Sequence, residues 1–219
     1  MNENWEQAKT LAEFWEDIKD CPKCSLSKSR SRVVLGAGNE HADIMFVGEA
    51  PGLQEDKQGI PFVGPAGQLL DQLLRSIDLN RADVYITNTV KCRPPENRDP
   101  EPAEISACNP YLNKQLGMIK PRIICTLGNY ATKTLLKTSS GITQLHGKLI
   151  QQGDLVYVPL FHPAAALHKP PLRAVLIEDF QRLRQHLDGE KARWRAADSQ
   201  PPEGLAAAPE KQAEQMGFF

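Results

Sequence analysis

Four short apolar runs constrain this chain more than any other feature. Residues 43–47 (DIMFV), 84–87 (VYIT), 122–127 (RIICTL) and 155–160 (LVYVPL) are strand-length and rich in β-branched or aromatic side chains. Each reads as a buried strand. Between them lie segments with a helical period. In 67–77 (GQLLDQLLRSI), leucines at 69, 70, 73 and 74 precede Ile77, which puts them on one helix face. Residues 101–119, 129–136 and 172–187 also suit helices. Strands that alternate with helices form a parallel sheet covered on both faces. The expected architecture is an α/β fold, a three-layer α/β/α sandwich with a four-stranded parallel central sheet.

Ligands of such sheets collect beyond the carboxyl ends of the strands. Three of the four strands run straight into distinctive segments there: GEAPG (48–52), TNTVKCRPP (87–95) and FHPAAAL (161–167). The topology gathers all three on one rim. The 219 residues, 41% hydrophobic, suffice for one domain and a tail. The expected division is 1–187 for the domain and 188–219 for a disordered tail, because ADSQPPEGLAAAPEKQAEQ lacks a sustained apolar face. Formal net charge is −1, and the tail from Asp188 holds six acidic and four basic residues. Contact with a polyanion must therefore come from local placement of positive groups. The opening MNENWEQAKTLAEFW has no charged region followed by an apolar run, and no stretch approaches the roughly 18 apolar residues of a membrane span. A cytoplasmic monomer is expected.

The five cysteines are an odd number in a chain without an export signal, which argues against a disulfide framework. Cys21 and Cys24 form a C-P-K-C pair. Cys92 and Cys108 follow the second strand with fifteen residues between them. Four thiolates can hold one metal centre, and their spacing leaves zinc and an iron–sulfur cluster both open. Cys125 sits inside the third run and reads as a small core residue.

GEAPG, then GIPFVGPAGQLLDQLL, then TNTVKCRPP, then HPAAAL, interleaved with these cysteines, resembles the thermostable, iron–sulfur (family 4) uracil-DNA glycosylases. The resemblance covers about residues 21–187. It implies the uracil-DNA glycosylase fold and removal of uracil from single- and double-stranded DNA. It also implies a [4Fe–4S] cluster on Cys21, Cys24, Cys92 and Cys108.

Such an enzyme must extrude the nucleotide into a pocket. Phe62, in GIPFVG, is the stacking candidate. Asn88 ends the second strand, and its amide offers one donor and one acceptor, complementary to uracil O4 and N3–H. His162, if neutral, can donate to uracil O2 as negative charge grows there. His41, His146, His168 and His186 lack such a context. Glu49 is the carboxylate of the first motif, placed to position water or to stabilise the sugar cation. The best-known uracil glycosylase family has an aspartate where Ala50 stands, so Glu55 and Asp56 are alternatives for activating water or shaping the pocket. Gly48, Ala50, Pro51 and Gly52 complete the expected base site. Leu167 is the candidate wedge for the gap left by the flipped base, with His168, Lys169 and Arg173 near phosphates.

Two rival readings differ in testable features. A cross-linking relative traps the sugar on a histidine in an inserted loop, and here that loop reads CRPPENRDPEP, without histidine. A non-catalytic iron–sulfur or zinc module has no need of Asn88 and His162 at strand ends. The terminal QMGFF resembles the clamp-binding pentapeptide of repair proteins. It offers Gln215, Met216, Phe218 and Phe219 to a bacterial sliding clamp.

Overall fold

The computed structural model describes residues 3–198, with side chains over 5–190. The terminal Gln215, Met216, Phe218 and Phe219 lie outside the described residues. In chain order the strands are β1 (Ala37–Gly38), β2 (Ile44–Gly48), β3 (Tyr85–Asn88), β4 (Ile123–Leu127), β5 (Ile150–Gln152) and β6 (Leu155–Leu160). The helices are α1 (Leu11–Ile18), α2 (Leu53–Gln58), α3 (Pro65–Arg75), α4 (Pro102–Ile119), α5 (Asn129–Leu136), α6 (Ile142–Leu145), α7 (Pro163–His168) and α8 (Pro171–Asp198).

All four apolar runs form strands, and they pair in parallel in the order β3-β2-β4-β6. Every residue of β2, β3 and β4 is buried, as strands covered on both faces must be. The sheet is nevertheless six-stranded and mixed, not four-stranded and parallel. β1 and β5 add antiparallel edges to β3 and β6. Both are two or three residues long and largely exposed, so neither carries the apolar pattern of a central strand.

Alternation along β2 assigns the layers. Met45 and Val47 join one core with Phe14 of α1 and Leu112 of α4. Phe46, between them, points the other way and stacks on Phe180 of α8, with centroids 5.9 Å apart. α3 lies beside α8: Arg173 donates to Gln72 Oε1, and Arg184 donates to the Ile77 carbonyl, each at 2.9 Å. α1 begins with a capping box, Thr10 accepting from the Glu13 amide.

The described residues divide into two units, one ending at Arg184 and the other beginning at Gln185. The expected disordered tail from Asp188 does not begin there, because helical structure continues to Asp198. Residues 188–198 lack an apolar stripe but are rich in Ala, Arg, Glu and Lys, whose helix propensity lets an existing helix propagate. Among the described residues no helix is long and apolar enough to cross a membrane.

The connections fix where a ligand can sit. From central β2 the chain moves to β3 on one side, then crosses to β4 on the other. The order reverses at β2, and a crevice opens beyond the carboxyl ends of the strands flanking it.

Candidate active site

That crevice is a cavity of about 400 Å³, the size range of small-molecule sites. The first motif contributes Glu49, Ala50, Pro51 and Gly52, and α2 contributes Glu55. Phe62, Asn88 and His162 enter from three further segments. All eight were expected from the sequence. Ala66, Pro94, Asn97, Arg98, Ala164 and Ala165 complete the wall.

Gly48 stands behind the wall, not in it. A Cβ at Gly48 would lie 2.4 Å from Asn88 Oδ1 and 2.6 Å from Phe62 Cζ. Only a glycine lets both side chains close over the end of β2. Asn88 sits directly across from Gly48 in the parallel register and is 1% exposed. Its Oδ1 is buried and accepts no hydrogen bond from the protein. An acceptor left in that state costs about 1–3 kcal/mol, so it awaits a donor from a ligand.

Phe62 is buried, and its ring stacks on the His162 imidazole at 5.6 Å between centroids. Its backbone has φ 54°, a left-handed conformation that costs a bulky residue about 1–3 kcal/mol. Two side chains hold the loop in that shape. Arg81 donates to the carbonyls of Pro61 and Phe62 while pairing with Asp71 at 2.7 Å. Glu55 Oε1 accepts from the amides of Val63 and Gly64, both at 2.8 Å. Gly67 is required beneath, since a Cβ there would run into the Phe62 carbonyl.

His162 caps the amino end of α7, and its Nδ1 accepts from the Ala164 amide at 3.1 Å. This cap has a chemical consequence. With Nδ1 accepting, the proton of a neutral imidazole resides on Nε2, which becomes a donor. Burial pushes the imidazole down to about 4, against the opposing pull of the Glu55 carboxylate, so the neutral form prevails near neutral pH. Gly128, at φ 89°, clears the space beside the ring; a Cβ there would meet His162 Cβ at 3.2 Å.

Glu49 is half-buried. Burial, with Asp99 adding like charge, pushes its carboxyl up to about 7. Asp99 Oδ2 in turn accepts from the Tyr130 hydroxyl at 2.5 Å. The two other carboxylates weighed for this position have different geometry. Glu55 faces the cavity but is engaged with backbone amides. Asp56, one residue on, points away and accepts from Ser31 at 2.9 and 3.0 Å. It holds the 31–32 turn and does not line the cavity.

Leu167, His168 and Lys169 are exposed at the far end of α7, whose amino cap is His162. Leu167 is 46% exposed, two residues beyond Ala165 of the cavity wall. Arg173 is exposed and bonded to Gln72. Of the six wall residues outside the expected set, Asn97 and Arg98 are the two with polar side chains. They sit in a turn with left-handed φ at Glu96 and Asn97. Arg98 forks onto Glu104 at 2.7 and 2.9 Å, and this pairing holds the Glu104 carboxyl down to about 2. The spacing of Arg98 and Glu104 near a proline-rich turn was the available signal.

A second, narrow cavity lies between the segment that follows β3, at Lys91 and Cys92, the 21–33 segment and α4. Cys21, Cys24, Cys92 and Cys108 all line it, while Cys125 is buried in β4. None of the five is in a disulfide. Donors point at the sulfurs. The Tyr111 hydroxyl lies 3.2 Å from Cys21 Sγ, the Lys91 amide 3.3 Å from Cys108 Sγ, and Arg30 Nη1 3.5 Å from Cys92 Sγ. Burial pushes the Cys92 and Cys108 thiols up to about 12 and about 11, so bare thiols here stay protonated. Among the described residues, no three His, Cys, Asp or Glu side chains are close enough together to hold a single metal ion.

A family model of the uracil DNA glycosylase superfamily matches residues 35–184, which contain every element of the base cavity. The chain is 48% identical over 185 residues to the type-4 uracil-DNA glycosylase of Sulfurisphaera tokodaii, covering 80% of this chain and 84% of the relative. It is 48% identical over 184 residues to that of Saccharolobus solfataricus, covering 80% and 85%. It is 44% identical over 183 residues to that of Archaeoglobus fulgidus, covering 80% and 92%. The cavity at the carboxyl ends of β2, β3 and β6 falls within the residues that the family model matches, and the chain belongs to the type-4 uracil-DNA glycosylases of the uracil-DNA glycosylase superfamily.

Proposed function

We propose that this chain flips uracil out of DNA into the cavity and hydrolyses its N-glycosidic bond, starting base excision repair. The observation that carries the reading is the orphaned Asn88 Oδ1. Uracil N3–H supplies the missing donor, and the Asn88 amide N–H can donate to uracil O4. Cytosine presents an acceptor at N3 and a donor at the neighbouring position. Both contacts become mismatched, and buried polar groups are left unpaired. Phe62 stacks on the base, worth roughly 1–3 kcal/mol.

Bond cleavage leaves a sugar cation and a uracil anion. His162 Nε2–H, fixed as a donor by the α7 cap, points its proton at O2 as the anion develops. One such donor contributes on the order of 10²–10³ in rate. Glu49, as a carboxylate, holds the attacking water or offsets the sugar cation. The loop that would have to carry a trapping nucleophile contributes Pro94, Asn97 and Arg98 to the wall, which favours hydrolysis over cross-linking to the protein. Leu167 enters the base stack, with His168, Lys169 and Arg173 at phosphates. The six residues of α7 rise about 9 Å, a fitting reach from pocket to stack. The enzyme acts as a cytoplasmic monomer.

Cys21, Cys24, Cys92 and Cys108 hold a [4Fe–4S] cluster in this reading. Four thiols round one cavity, with N–H and O–H groups aimed at their sulfurs, suit a thiolate-held centre. When bound, the cluster ties together three distant segments of the chain and supplies any electron transfer. The tail's QMGFF docks Gln215, Met216, Phe218 and Phe219 on a sliding clamp, tethering the enzyme at replicating DNA.

On a uracil-containing oligonucleotide followed by alkaline cleavage, His162→Ala should lower the single-turnover rate about 10²–10³-fold while binding changes little. Asn88→Asp should weaken uracil excision and open the site to cytosine. Near wild-type excision by both variants would remove the base-reading assignment.

The pH profile separates Glu49 from His162. An acid raised to about 7 gains its carboxylate as pH rises through 7, and an imidazole lowered to about 4 is already neutral there. The wild-type rate should climb between roughly pH 5 and 8 and then level off. Glu49→Gln should be slow and flat across that range. A wild-type profile without the climb assigns water activation elsewhere.

Anaerobically purified protein should be brown and hold about four irons per chain, and Cys125→Ser should keep them. Colourless protein with one zinc sinks the cluster. For the tail, deleting residues 215–219 should abolish clamp binding in a fluorescence titration and leave excision intact. A tail peptide that fails to bind at tens of micromolar, roughly −6 kcal/mol, rejects the tether.

A further inference from the structure

Lys91 lies between the two cavities and is 1% exposed. Its Nζ donates to Thr87 Oγ1 and to the Asn88 carbonyl, each at 2.7 Å. Both acceptors are neutral, and both belong to the end of β3. Its backbone amide points at Cys108 Sγ, and its side chain lines the four-cysteine cavity. Among the described residues no carboxylate pairs with it, and the ionisable side chains that act on it from the cavity beside it are the thiols of Cys108 and Cys92, which become thiolates when they hold a metal centre. Burying an ammonium against neutral oxygens alone costs several kcal/mol, so the charged form of this lysine calls for a negative partner. A four-thiolate iron–sulfur centre carries net negative charge. Arg30, at the outer side of the same cavity, supplies a second cation near Cys92.

We infer that Lys91 is the buried counter-cation of the four-cysteine centre and, through its bond to the Asn88 carbonyl, the strut that holds the base reader in place. It is a positioning residue, because it touches neither the base nor the sugar. The inference rests on the reading of the four cysteines as iron–sulfur ligands. It links the metal centre to uracil recognition without any redox step: the centre fixes the ammonium, and the ammonium fixes the end of β3.

The test compares Lys91→Gln, which keeps polar reach and loses the charge, with Lys91→Arg, which keeps the charge. Both are full-length, anaerobically purified holoproteins. Iron release to an excess of ferrous chelator is the first readout. Lys91→Gln should release iron about 10–100-fold faster than wild type, the usual effect of losing a group that supports a metal's ligands. Lys91→Arg should stay close to wild type. The second readout is single-turnover excision per iron-loaded chain, which should fall about tenfold or more in Lys91→Gln as the amide is misplaced. Should Lys91→Gln fail to fold, Thr87→Val replaces it. That variant removes one Nζ acceptor without touching the charge, so it should keep its iron and lose excision. Wild-type iron retention in Lys91→Gln overturns the inference, as do equal losses in the Gln and Arg variants or iron loss in Thr87→Val. Wild-type protein without iron is a different failure, since it removes the cluster itself.

Discussion

The absence of a side chain at Gly48 makes this site possible. Parallel pairing of β2 and β3 sets Gly48 opposite Asn88 at the last rung of the ladder. One more atom on Gly48 would collide with Asn88 Oδ1 and with the Phe62 ring. The amide and the ring can therefore converge on the same volume from two different segments. The strand that supplies the glycine is also the central strand, with both faces buried and its register fixed on both sides. Hydrogen bonding along the sheet thus locates the base reader to within the precision of a core residue. A polar side chain on a loop could not be held so closely.

The segment from Thr87 to Arg98 extends that precision in two directions. Its turn is stitched to the first motif, since the Thr89 and Val90 amides donate to the carbonyls of Gly48 and Glu49. Beyond the turn come Cys92, at the second cavity, and then Pro94, Asn97 and Arg98, back at the first. Arg98 is anchored by Glu104, which also accepts from Ser25 beside Cys24 at 2.6 Å. Base cavity and cysteine cavity therefore share one stretch of backbone and one ion pair whose carboxylate is buried. A disturbance of either site has a short, bonded path to the other.

Much of this was legible before any coordinates. Buried parallel strands must be apolar throughout, so β2, β3, β4 and β6 announced themselves, and the polar motifs after them marked the rim. Edge strands obey no such rule: β1 and β5 are short, and one side of each faces solvent. α1 did carry a signal, Thr10 with Glu13 ahead of Leu11, Phe14 and Ile18. Asp56, an alternative to Glu49, is turned to Ser31 for a geometric reason. Adjacent residues on a helix point about 100° apart, so when Glu55 turns to the Val63 and Gly64 amides, Asp56 must face elsewhere. Arg81 and Lys91 were invisible because, beside Asp71 and Thr87, each donates to backbone carbonyls, and a carbonyl leaves no mark in the sequence.

The electrostatics of the cavity follow mainly from one cause acting on two kinds of group, with Asp99 adding like charge at Glu49. Removal of water penalises charge, so it raises an acid and lowers a base. Glu49 moves up and His162 moves down. For the imidazole, neutrality alone would leave two tautomers, and the Ala164 amide selects the one that keeps its proton on Nε2. A neutral donor is stabilised little by its surroundings before reaction and strongly by the anion that forms during it, which is the differential interaction that lowers a barrier. An imidazolium would bind any anion, including the phosphates that crowd the mouth of such a site. The same dryness prepares the carboxyl of Glu49 to take a proton near neutral pH, because a base matched to its working pH transfers protons most effectively. The apolar wall and the helix cap thus set both proton inventories, and neither needs a charged partner in contact with the base.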